Sequence, residues 1–157
     1  MKKSLVNDEL SITYPNAFRD MELTELQLLY KTTYKYMWGA RDEKHHVMIA
    51  IIWKENNRFL QKLVSEKSLA TTYEKNMRKA QAQSNYHLDG FFEREVAGQQ
   101  AQGFGYSYET DGVGQQGEAL VFRRDRVNYT LYYYTGAEQA SSNRIMYQDV
   151  LESLAFA

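Results

Sequence analysis

Seven consecutive apolar residues, Val47-Met48-Ile49-Ala50-Ile51-Ile52-Trp53, constrain the fold of this chain more than any other feature. The run is far shorter than the roughly 20 residues of a membrane-spanning helix, and its β-branched residues make it a strand. Successive side chains of a strand point to opposite faces, so a strand with one wet face alternates in polarity. A run apolar at every position implies a central strand covered on both sides, by helices or by a partner. The stretch 32–40 is also rich in β-formers, and the charged cluster Arg41-Asp42-Glu43-Lys44 between the two supplies the turn of a hairpin.

Around that hairpin the remaining elements fall into order. Leu10, Ile12 and Tyr14 alternate with Ser11 and Thr13, which predicts a first strand over about 9–14, ended by Pro15-Asn16. Thr24 caps either a short helical turn through Leu26, Leu28 and Leu29 or a loop. Asn56 or Asn57 caps a long helical stretch carrying Phe59, Leu60, Leu63 and Val64, and Ser68 offers a second start ahead of Leu69, Tyr73, Met77 and Ala80. The absence of glycine and proline over 57–84 predicts one broken helix or two consecutive ones. Strands follow at 91–96, 99–109, 119–122 and 127–134, separated by Gly98, by Asp111-Gly112-Val113-Gly114 and by Arg123-Arg124-Asp125-Arg126. Ser141 or Ser142 caps a final helix carrying Ile145, Met146, Val150 and Leu154. On the strand from 99 to 109, Phe104, Tyr106 and Tyr108 share one face, while Gly103, Gly105 and Ser107 leave room for close approach on the other.

No internal repeat or linker breaks the 157 residues, so 1–157 reads as a single domain. Nineteen basic and twenty acidic residues leave a formal net charge of -1, which disfavours nucleic acid as a partner. With no cysteine the chain has neither disulfides nor thiol chemistry. Lys2-Lys3 resembles the start of a secretory signal, but Asn7, Asp8 and Glu9 follow Leu5-Val6 at once. No apolar core of a leader forms, and no membrane span is encoded, so the chain as written is expected to be cytoplasmic.

The chemical motifs fail on geometry. Gly112-Val113-Gly114-Gln115-Gln116-Gly117 matches the letters of a dinucleotide fingerprint but lies between antiparallel strands with no helix after the last glycine, so it reads as a hairpin. His45 and His46 are adjacent and point apart, and His87 has no partner by spacing, so no metal is expected. Glu93 and Glu95 share a strand face at a separation a glycosidase pair could use, and also one that any solvated face shows. No serine lies in a nucleophile elbow, and Asn128-Tyr129-Thr130 reads as strand. No catalytic residue, cofactor or metal ligand is assigned.

Thirteen tyrosines and seven phenylalanines remain. Tyrosine combines large contact area, little rotamer entropy and a polar tip, which suits interfaces, and it also suits a sheet beneath helices. The candidate partner-binding residues are those expected near the sheet's ends: Tyr106, Tyr108, Tyr132 and Tyr134, beside Arg123, Arg124 and Arg126. Such a mixture of rings and cations can also stack single-stranded nucleic acid, a reading that the neutral charge balance disfavours.

The element order, from the opening strand ending in Tyr14-Pro15 to the tail Val150-Leu151-Glu152-Ser153-Leu154-Ala155-Phe156, resembles the superfamily that joins the photosystem II subunit PsbP, the Ran-binding nuclear import factor and bacterial DcrB-like proteins. The resemblance implies an α+β fold, an α/β/α sandwich with a central antiparallel sheet of about six strands and helices on both faces. It also implies a small binding or scaffolding protein of bacterial type; some relatives act as chaperones for secreted effectors and others are lipoproteins, whose lipobox cysteine this chain lacks. The leading expectation is a non-catalytic protein-interaction domain, an adaptor or effector chaperone that holds a protein or peptide segment. The alternative is a small-molecule binding domain or hydrolase whose site forms only in the fold, with Glu93, Glu95, His87 and Arg124 as members.

Overall fold

In the computed structural model, which describes Met1–Ala157, the chain opens with β1 (Lys2–Val6), β2 (Leu10–Tyr14), the short β3 (Arg19–Asp20), helix α1 (Leu23–Tyr30) and the hairpin β4 (Met37–Asp42) and β5 (Val47–Glu55). Helices α2 (Arg58–Leu63) and α3 (Glu66–Ala80) lead to a meander of β6 (His87–Val96), β7 (Gln99–Thr110), β8 (Val113–Arg124) and β9 (Val127–Gly136). The chain ends in α4 (Ala140–Ser153) and β10 (Ala155–Phe156).

The main sheet has seven strands in the order β3-β4-β5-β9-β8-β7-β6, antiparallel throughout. The apolar run of β5 lies inside it between β4 and β9, and both of its faces are covered. Val47, Ile49 and Ile51 join Leu120, Phe122, Tyr129, Leu131 and Tyr133 in the larger core. That core is closed by α4 and by a second, three-stranded sheet, β1-β2-β10, with Leu10, Ile12, Tyr14, Tyr147 and Val150 pointing inward. The Tyr147 ring lies on the Tyr133 ring at 3.8 Å between centroids and 5° between planes. On the opposite face Met48 and Ala50 pack under α1 with Leu26, and Phe104, Tyr106, Ala119 and Val121 pack under α3 with Ala70.

Helices therefore flank the sheet on both sides, as the double apolarity of β5 requires. The small sheet is additional: β1, Lys-Lys-Ser-Leu-Val, exposes alternate residues, which hides its apolar content from a periodicity reading. Asn57 accepts a hydrogen bond from the Leu60 amide at 2.8 Å and starts α2. The second helix of this region starts three residues earlier than Ser68, because Ser65 provides the cap, its Oγ accepting from the Ser68 amide at 3.1 Å. The final helix begins at Ala140 through a short 3-10 turn without a side-chain cap, so neither Ser141 nor Ser142 holds that role. Asp111 and Gly112, both with positive φ, close the β7–β8 hairpin. No helix is long and apolar enough to cross a membrane.

Candidate functional site

Two rows of side chains run across the face of the sheet that lies under α1 and α3. By register, Gly39, Ala50, Tyr132, Ala119 and Phe104 form one row, and Arg41, Met48, Tyr134, Gly117 and Tyr106 the next. In each row a small residue stands beside a large ring. That alternation lets tyrosines lie down along the sheet instead of standing up from it. Tyr132 and Tyr134 stack at 6.3 Å, Tyr106 and Tyr108 at 6.1 Å, and Tyr134 meets Tyr106 edge-on at 6.0 Å.

The helices do not close over this floor. A cleft of about 1120 Å³ opens between α1 and α3, with Tyr108, Tyr132 and Tyr134 in its base. Leu29 and Tyr30 line it from α1, and Tyr73 and Met77 from α3. Tyr30 tilts against Tyr132 with centroids 5.7 Å apart. Val113 of the β7–β8 hairpin and the segment 136–139 close the far end, where Arg41 and His46 supply charge and polarity. The α3 wall is anchored by Glu74, buried on the inner side of the helix, which accepts from Arg78 at 2.6 Å and from the Tyr86 hydroxyl at 2.9 Å. The Tyr30 hydroxyl of the α1 wall and the Arg41 Nε on β4 are buried without a hydrogen-bond partner.

Burial, which penalises the phenolate, raises the pKa of every tyrosine of the floor. Tyr134 is pushed up to about 12, Tyr108 and Tyr132 are raised, and Tyr30 and Tyr106 stand well above the ordinary value. Near neutrality these groups are therefore uncharged phenols. They offer ring faces and hydrogen bonds, and none is poised as a base.

The structure divides the partner-binding residues expected from the sequence. Tyr108, Tyr132 and Tyr134 come together in the cleft. Tyr106 is adjacent but fully buried, its hydroxyl directed at the Tyr133 carbonyl at 3.4 Å, so it supports the floor without reaching the opening. The arginines lie elsewhere. Tyr134 is seven residues along β9 from Val127, about 23 Å at an ordinary strand rise, and the Arg123–Arg126 turn sits at that distant end. The expected single surface of tyrosines and arginines does not form, because register along a strand separates residues that share a face.

Arg123 has a structural task. Its guanidinium donates to Asn128 Oδ1 at 2.7 Å, to the Gln61 carbonyl at 3.1 Å and to the Val64 carbonyl, and it pairs with Glu66 at 3.0 Å, so it ties α2 and the start of α3 to the sheet. Arg124 donates to the Ala157 carbonyl and lies over the Phe156 ring, and Arg126 pairs with Glu55. Replacing Arg123 with alanine is expected to cost about 2 kcal/mol, since several charge-assisted bonds to partly buried carbonyls are lost. Chemical denaturation gives the size, and amide exchange accelerating over 57–66 ahead of the rest of the chain gives the location.

The residues that a hydrolase site would require do not converge. Glu93 is exposed and accepts from Gln100 and Gln102, Glu95 is exposed, and His87 lies near Asp89 at 3.8 Å on the edge strand, 74 % exposed. Arg124 is bound to the C-terminal residue. The glycine pattern starting at Gly112 runs from a turn into β8, and no helix follows it. His45 contacts Asp42 at 2.5 Å, while His46 occupies a positive-φ position and lines the cleft. Leu29, Tyr30, Tyr73 and Met77 had no spacing to mark them as one group, because two separate helices supply them.

The seven-stranded antiparallel sheet, with α1 and α3 on one face and α4 with a small sheet on the other, is similar in fold to solved structures of a cyanobacterial PsbP and of Mog1. Cyanobacterial PsbP (CyanoP) from Synechocystis sp. PCC 6803 superposes with a TM-score of 0.74 at 15 % identity, over 99 % of this chain and 92 % of that one. LpqN, involved in cell envelope biogenesis of Mycobacterium tuberculosis, gives 0.64 at 11 % identity, over 94 % and 83 %. A variant of the protein Mog1 gives 0.57 at 8 %, over 98 % and 95 %. No family model matches the sequence, and no curated protein matches it. At such identities the likeness is one of fold.

Proposed function

We propose that the chain is a non-catalytic binding domain that holds a segment of a partner protein in the cleft between α1 and α3, as an adaptor or chaperone does. The observation that carries this reading is the tyrosine floor left uncovered between the two helices. Its volume of about 1120 Å³ exceeds the ~300–1,000 Å³ usual for a small-molecule site, which favours a peptide segment. Neutral phenols suit such an occupant, because they give apolar contact and hydrogen bonds to a backbone together.

The test uses the rim, where substitution leaves the core alone. Leu29 and Val113 both line the cleft and are 50 % and 57 % exposed. A displayed peptide library panned on the wild-type protein should yield ligands whose affinity falls about tenfold or more with Leu29→Asp or Val113→Asp, the effect of an unpaired charge set against an apolar contact. Peptides that bind both variants as tightly as the wild type would place recognition elsewhere and end this reading.

A further inference from the structure

Helix α2 is amphipathic the wrong way round. Its polar residue faces the protein: Gln61 donates from Nε2 to the Asp125 carbonyl at 2.8 Å and accepts at Oε1 from Asn128 at 3.2 Å, while its own carbonyl accepts from Arg123. Its apolar residues face water. Phe59 is 69 % exposed, Leu63 64 % and Leu60 41 %, and no residue of the helix is buried. At 100° per residue these three span about 100° of arc, turned away from Gln61, with Lys62 about 60° beyond the Phe59 edge and Arg58 about 40° further round, between Lys62 and Gln61. Such an arrangement leaves large apolar area in water with no intramolecular return, a feature that marks an interaction surface.

Charge identifies the occupant. Lys54, Arg58 and Lys62 are exposed and have no carboxylate within ion-pair distance. The acidic residues flanking the helix in sequence are already paired, Glu55 with Arg126 at 3.4 Å and Glu66 with Arg123 at 3.0 Å. A short convex helix with protruding Phe and Leu beside free cations has the features of an interfacial membrane contact, where apolar side chains enter the headgroup boundary and lysines and arginines meet lipid phosphates. A protein partner would need to bring a groove; a bilayer needs none.

We propose that α2 is a peripheral membrane contact: Phe59, Leu60 and Leu63 enter the surface of an anionic bilayer, and Lys54, Arg58 and Lys62 hold its headgroups. The contact is separate from the cleft, since no α2 residue lines it.

The experiment is co-sedimentation of the full chain with vesicles, either pure phosphatidylcholine or containing about 30 % phosphatidylserine. The wild type should sediment with the anionic vesicles, at least about tenfold more than with neutral ones, and should be released as salt is raised. The variant Phe59→Ser/Leu63→Ser should lose about tenfold or more of that binding, and Lys54→Gln/Arg58→Gln/Lys62→Gln a comparable amount. All these side chains are exposed, so thermal unfolding of the variants should match the wild type. Leu29→Asp should bind vesicles unchanged, which keeps this result independent of the cleft. A wild-type protein that ignores anionic vesicles, as it would if the face met a protein partner, overturns the proposal. So does a serine variant that sediments as the wild type does.

Discussion

Raising the pH from 9 to 12 is expected to unfold the protein in one cooperative step, with the tyrosines ionising together as the fold is lost. Eleven of the thirteen tyrosines have a raised pKa, and in each the largest cause is burial of the phenol. A group whose folded pKa lies above its unfolded one contributes stability that is fully present below the unfolded value, about 10 for tyrosine, and is lost as pH rises through the folded value. Burial pushes the Tyr133 phenol up to about 12, and Tyr106, Tyr129 and Tyr147 are also raised and nearly inaccessible. Each such group removes about 1.4 kcal/mol per pH unit above 10, so these four together remove about 6 kcal/mol per unit. The stability of an ordinary domain is about 5–15 kcal/mol, so these four alone would exhaust it between about pH 11 and 13, and the seven other raised tyrosines draw the midpoint toward the lower end of that interval. Tyrosinate absorbance and far-ultraviolet circular dichroism, followed in parallel, should change over the same narrow interval. Tyrosines ionising gradually from pH 10 while the circular dichroism stays native would show that the rings are more accessible than the fold implies.

That sensitivity follows from a feature visible in the sequence, the tyrosines on both faces of β9. Tyr129 and Tyr133 point into the core under α4, and Tyr132 and Tyr134 into the floor of the cleft. Alternation is a local property, so it assigns faces well, and the unbroken apolarity of 47–53 was enough to require cover on both sides. Position along the strand is a different quantity. The seven residues from Val127 to Tyr134 already put the turn at Arg124 at the other end of β9, whereas the placement of Tyr106 and Tyr108 at the Tyr134 end depends on how β7 registers with β8. The cleft was less legible still, since its walls come from α1 and α3. The α1 segment carries a weak signal, with Leu28 81 % exposed although Leu26 is buried, so its apolar residues do not mark one face. Strand β1 was hidden by Lys2 and Lys3, which sit at exposed or half-exposed positions and mimic the start of a leader. The inverted polarity of α2 could not be read at all. Phe59, Leu60 and Leu63 have the spacing of a buried stripe, and only the bonds that draw Gln61 inward turn them to solvent.

Of all single changes on the sheet, Gly117→Ala is expected to be among the most damaging, although it adds one methyl group. Gly117 lies in β8 opposite Tyr134 on one side and Tyr106 on the other. A Cβ built there would stand 2.5 Å from the Tyr106 hydroxyl and would collide with the Tyr133 carbonyl, which is backbone and cannot swing aside. Tyr106 is fully buried beneath α3, with Tyr86, Phe104, Tyr108 and Tyr134 packed around it, so its ring has no vacant rotamer to adopt. Overpacking of this kind costs about 3 kcal/mol or more, the upper end of what an added methyl does in a core. Gly105→Ala is the matched control. Gly105 precedes Tyr106 on β7 and pairs with Glu118 of β8, yet its Cβ would make only ordinary contacts, with the Asp89 side chain at 3.5 Å and the Gly117 carbonyl at 3.8 Å. There the loss of backbone freedom in the unfolded chain decides the outcome, and the change should be neutral or slightly stabilising. Urea midpoints of the two variants, measured side by side, separate a packing effect from a general intolerance of side chains at glycine positions in the strands. Equal losses at both sites would mean that the flat tyrosines do not need the space above Gly117, and that the alternation of small residues and rings does not shape the floor of the cleft.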